Sequence, residues 1–123
     1  MIRFVAIAAG GAIGALLRFW ISNGIYALLG RNFPYGTLVV NLLGCLLMGF
    51  LYIFMLERLV SVEWRAAILI GVLGAFTTFS TFSLETLNLL QGGEHLKALV
   101  NIFVSVLLCL LATWLGMSIA RQL

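Results

Sequence analysis

Thr77-Thr78-Phe79-Ser80-Thr81-Phe82-Ser83 places five hydroxyls and two phenyl rings in seven consecutive residues, inside an otherwise apolar stretch from Ala66 to Leu90. A phenyl ring is negative on its faces and positive at its edge, so two rings turning their edges to a narrow polar path favour a small anion. Hydroxyl donors such as those of Ser80 and Thr81 replace that anion's water. Phe79 and Phe82 stand three residues apart and share a face wherever the chain is helical. Gly71 and Gly74, just upstream, make local unwinding cheap, and unwinding frees carbonyls whose negative ends hold a cation. Plainer readings apply to the same residues. Serine and threonine in membrane helices bond back to the carbonyl one turn earlier and bend the helix. Five hydroxyls exceed the need of one bend, but nine phenylalanines in the chain make a helically spaced pair a common accident.

Four other groups of residues carry polarity into apolar surroundings. Thr37 and Asn41 are four apart and fall on one helical face, and a buried asparagine amide needs a partner in another helix, in water or in a permeating species. Glu85 is the only carboxylate inside an apolar span; such a group is either functional or, being near the Gly92-Gly93 turn, solvated. Asn101, Ser105, Cys109 and Thr113 form a one-turn ladder, which reads as a polar track or as a seam against another helix. Arg18 lies deep in the first span, where a guanidinium either reaches the far interface beside Trp20 or holds a buried partner. Gly10 and Gly14 have GxxxG spacing, a face on which backbones approach closely. Cys45 and Cys109 both fall within spans; neither a CxxC nor a His/Cys cluster points to a metal, and a structural disulfide is not expected. His95 reads as a solvated loop residue.

The elements that must position these groups are membrane helices. Of the 123 residues 63% are hydrophobic and only 9% charged, far below the roughly one quarter usual in soluble domains. Four apolar segments, about residues 4–29, 36–56, 65–90 and 96–119, are each long enough as a helix to cross a hydrocarbon core of about 30 Å. The fold class expected is therefore all-α, a single four-helix transmembrane domain over residues 1–123 with its third helix broken. Short connections make successive helices antiparallel. The first segment continues past Arg18 and Trp20 without a cleavage pattern and is read as a retained span. The net charge of +3 is scattered at helix ends as interface anchors, so nucleic acid is not an expected partner. With the amino terminus inside, Arg3, Arg58, Arg65 and Arg121 oppose Arg31 and Lys97, a bias weak enough for insertion in both senses. No Ser/His/Asp or Cys/His set, phosphate loop or paired carboxylates suggests an enzyme.

Gly10-Gly11-Ala12-Ile13-Gly14-Ala15 leading to Arg18, Gly36-Thr37-Leu38-Val39-Val40-Asn41, and Gly71-Val72-Leu73-Gly74 followed by Thr77-Thr78-Phe79-Ser80-Thr81-Phe82 together resemble the Fluc (CrcB-type) fluoride channels, over the whole chain. That resemblance implies a fluoride-selective passive channel of the bacterial inner membrane, built as an antiparallel dual-topology homodimer with two fluoride pathways. It implies that Phe79 and Phe82 form a phenylalanine box, that Asn41 is the pore asparagine with Thr37 in the same motif, and that Glu85 and Ser105 lie on a polar track. It further implies a central structural sodium ion held by backbone carbonyls, here those of Gly74 and Thr77, and gives Arg18 the place of the family's first-helix arginine. Asn101 stands where a tyrosine is common, and Cys109 where a small residue is usual. A small proton-coupled exporter of organic cations is the competing expectation. It needs a carboxylate in the binding chamber, and Glu85 alone is available.

Overall fold

The computed structural model describes residues 1–123, and all regular structure in it is helical. Helices α1 (Ile2–Leu29), α2 (Tyr35–Glu57) and α6 (His95–Arg121) are continuous. Between them α3 (Val62–Arg65) runs into a π-helical segment, Ala66–Leu73, which continues as α4 (Gly74–Phe76); α5 spans Phe79–Gln91. Counting Val62–Gln91 as one, four stretches are long and apolar enough to cross a membrane, and the chain is a multi-pass membrane protein. The helices run slightly beyond the apolar limits because Arg3, Glu57, Glu63 and Arg121 continue the backbone pattern into the headgroup layer. His95 belongs to the first turn of α6 rather than to the loop, and it is exposed as expected.

Lipid cannot drive helices together by hydrophobicity, so contact depends on how closely backbones approach. Gly10 and Gly14 lie against the π-helical segment: a Cβ at the first would meet the Ala67 carbonyl and one at the second the Val72 carbonyl. Gly71 completes this contact from the other side, where a Cβ would sit 3.1 Å from Gly10 Cα. A second glycine seam joins α2 to α6 and was not foreseen from spacing. Gly49 faces the Thr113 carbonyl, and Gly116 the Leu46 carbonyl. The side chains left outside, among them Phe4, Phe19, Trp20, Phe103, Leu110 and Trp114, are exposed as lipid-facing surface should be.

Candidate functional site

Between Phe76 and Phe79 the backbone leaves the helical region: Thr77 has φ −85°, ψ 157° and Thr78 φ −150°, ψ 122°. Each released group is then accounted for. The Thr78 N–H, which in a continuous helix would bond the Gly74 carbonyl, donates to Asn41 Oδ1 at 2.8 Å. The Thr78 carbonyl accepts from Asn41 Nδ2 at 3.0 Å, so the amide side chain pairs with both backbone groups of one residue much as a neighbouring strand would. Thr78 Oγ1 caps α5 by accepting from the Thr81 N–H at 3.1 Å. The Thr77 carbonyl therefore also lacks its helical donor. Of the five hydroxyls in this stretch only Thr77 bonds back in the helical manner, donating to the Leu73 carbonyl at 3.1 Å. Ser80 and Thr81 gather instead around Thr78 Oγ1, at 3.3 and 3.1 Å.

The cap starts α5 so that Phe79 and Phe82 lie on one face, their centroids 5.5 Å apart and their planes inclined at 45°. They wall a cavity of about 320 Å³ whose lining also includes Asn41, Ser105, Cys45 and Cys109. Polar atoms there are mostly committed. Ser105 donates to Asn101 Oδ1 at 3.2 Å and Thr77 to Leu73, whereas Asn41 uses one of its two amide hydrogens on Thr78 and keeps the other. Phe79 is 77% exposed and Gly74 is exposed beside it, so the cavity is open on that side.

Thr37 and Glu85 belong to a separate cluster. Glu85 accepts from the Tyr26 hydroxyl at 2.6 Å on Oε2 and from the Thr37 hydroxyl at 2.5 Å on Oε1. The carboxyl group is thus held by α1 and α2 and is not a freely solvated end group. Thr37, only 5% exposed, has its single proton committed to this bond. Arg18 does not reach Glu85. It lines a cavity of about 220 Å³ with Ser22, Thr37, Thr78 and Thr81, which separates the two clusters. On the other side of Glu85, Arg31 stacks 4.5 Å over the Tyr26 ring at the mouth of a third cavity, about 270 Å³.

Sequence reasoning missed Tyr26 and Thr86. Tyr26, a buried phenol, had a usable signal, since a tyrosine hydroxyl inside a span needs a partner. Thr86 donates to the Phe82 carbonyl at 2.7 Å and accepts from Asn101 Nδ2 at 2.9 Å. Asn101 is 2% exposed and binds both α5 and Ser105, so the ladder on α6 is a seam at Asn101 and a cavity wall at Ser105 and Cys109.

A family model described as CrcB-like protein, Camphor Resistance (CrcB), matches residues 5–117. The chain belongs to the CrcB family. Relatives of this CrcB chain include a protein of Magnetococcus marinus, 56% identical over 116 residues that make up 94% of each chain, and one of Hydrogenovibrio crunogenus, 50% identical over 99% of this chain and 93% of its own. A Methylococcus capsulatus relative is 59% identical over 96% of this chain, which spans only 52% of that protein's length. All three bear the name "Fluoride-specific ion channel FluC". The matched range contains every residue of both CrcB clusters, from Gly10 to Ser105.

Proposed function

We propose that this chain forms a passive, fluoride-selective channel that releases fluoride from the bacterial cytoplasm across the inner membrane. The observation that carries the reading is the wall of the larger cavity, where the tilted Phe79–Phe82 pair adjoins the unused amide hydrogen of Asn41. Ring edges and one N–H replace part of the hydration of a small halide without a fixed cation to trap it, which electrodiffusion requires. No Lys or Arg lines this cavity. The names of the relatives agree with this reading. The exporter alternative depends on Glu85, and both oxygens of that carboxyl are already occupied by Tyr26 and Thr37.

Two copies inserted in opposite senses make the pathway in this proposal. The exposed Phe79 ring and the open side of the cavity leave room for a second wall, and the weak bias of basic residues between the two ends permits either orientation. The break at Thr77-Thr78 has a further role. Gly74 and Thr77 each present a carbonyl whose helical donor is engaged elsewhere, by Asn41 and by Thr78 Oγ1, and these oxygens suit a hard monovalent cation such as sodium. Such an ion would supply a fixed positive charge at the centre of the dimer. The Asn41 clasp leaves the Gly74 carbonyl ready for it, and the Thr78 cap that of Thr77.

Efflux from liposomes containing the purified protein, followed with a fluoride electrode, tests the function. Fluoride should leave far faster than from empty vesicles while chloride is retained. Phe82→Ile should lower that flux by up to about tenfold, equivalent to about 1.4 kcal/mol, with assembly by cross-linking unchanged. Fluoride release no faster than from empty vesicles would end the proposal.

A further inference from the structure

Cys45 and Cys109 are the only cysteines in the chain, and both are free. One sequence offset relates Gly49 to Thr113, Cys45 to Cys109 and Asn41 to Ser105, as expected for the parallel second and fourth spans. At the first pair the backbones touch, since a Cβ on Gly49 would strike the Thr113 carbonyl. At the third pair both side chains line the Phe79–Phe82 cavity. Cys45 and Cys109 lie one turn from each, line the same cavity and are both free thiols.

We infer that Cys45 and Cys109 form a two-thiolate site for a soft d10 cation, of the class of Hg²⁺, Ag⁺ or Cu⁺, in the wall of this cavity. Sulfur selects soft ions, and no third His, Cys, Asp or Glu is grouped with the pair. Two ligands suit linear coordination and leave a tetrahedral zinc site incomplete. No charged side chain lines the cavity, so neither a carboxylate competes for the ion nor a guanidinium repels it. Neutral mercuric chloride reaches such a site from either face of the membrane. With mercuric chloride, two S–H and two Hg–Cl bonds break, two Hg–S bonds form, two protons and two chloride ions leave to bulk water and no atom changes oxidation state.

The full chain in detergent is titrated with mercuric chloride while the sulfur-to-mercury absorption and the remaining free thiols are measured. One ion per chain should remove both thiols. Against a competing monothiol such as glutathione, the parent should keep its ion to a competitor concentration roughly 100-fold higher than Cys45→Ser or Cys109→Ser, because the second bond is intramolecular. Saturation at two ions per chain, or release at the same competitor concentration as the single variants, would overturn the site. In liposomes mercuric chloride should stop fluoride efflux and a dithiol restore it, while the doubly substituted Cys45→Ser, Cys109→Ser protein keeps its own starting rate. One ion per chain with undiminished efflux would uphold the site and instead remove this cavity from the fluoride pathway.

Discussion

Thr37 and Asn41 stand one turn apart on α2 and both reach toward the third span, yet they hold partners of different kinds. Asn41 grips backbone, giving and accepting a bond with the Thr78 peptide groups. Thr37 grips a side chain, the Glu85 carboxyl, which Tyr26 holds from the other side. Extended backbone at membrane depth must find its donors and acceptors within the protein, so the partner of Thr78 fixes the local geometry. The Glu85 carboxyl, half-buried at the middle of α5 and lining the cavity beside Asn88, has other rotamers and water to fall back on. The first cluster is therefore a structural clasp that shapes the site, and the second is an adjustable one.

Replacing the clasp should have the largest effect. Asn41→Leu leaves the Thr78 N–H and carbonyl without partners, at about 1–3 kcal/mol each, so loss of folded protein in a thermal or denaturant series is expected. Asn41→Asp keeps an acceptor for the N–H but turns a second oxygen toward the carbonyl, and should fall between Leu and the parent. Tyr26→Phe removes one of two donors to Glu85 and should cost about 1 kcal/mol. If the Asn41→Leu and Tyr26→Phe proteins melted together, the distinction between a fixed and an adjustable cluster would be lost.

The clasp was half legible before the structure. A polar group every fourth residue marks one face of a helix, so Thr37 with Asn41 and Gly10 with Gly14 could be assigned to faces from spacing alone. The four spans were legible for the same reason, since lipid imposes length and apolarity on every one. Partners across helices carry no such period. Nothing in the sequence says that Asn41 meets a peptide group rather than an ion, that Tyr26 answers Glu85, or that Thr86 joins Asn101 to the Phe82 carbonyl. The cysteines show the limit most clearly. Their spacing in sequence does not relate them, and only the parallel packing of α2 and α6 brings the two thiols to one wall. Nor does the sequence say that Thr78 accepts the Thr81 N–H to cap α5 and donates its proton to the Thr81 hydroxyl.

Ser80 offers the finest separation of structural from functional hydroxyls, with the smallest expected effect. It is exposed and touches only Thr78 Oγ1, at 3.3 Å. Thr78 keeps its bonds to the Thr81 N–H and hydroxyl when Ser80 is shortened, so the α5 cap survives. Ser80→Ala should therefore shift stability by no more than about 0.5 kcal/mol, whereas Thr78→Val, which deletes the cap, should cost about 1 kcal/mol. If the Ser80 hydroxyl also helps replace the water around a passing ion, its loss lowers fluoride flux by about two- to threefold, the size of one weak hydrogen bond, with the melting curve unmoved. Flux and stability measured on the same Ser80→Ala preparation decide between these roles: unchanged flux would assign Ser80 to the edge of the cap and leave the Phe79–Phe82 edges and the Asn41 amide as the groups that meet the ion.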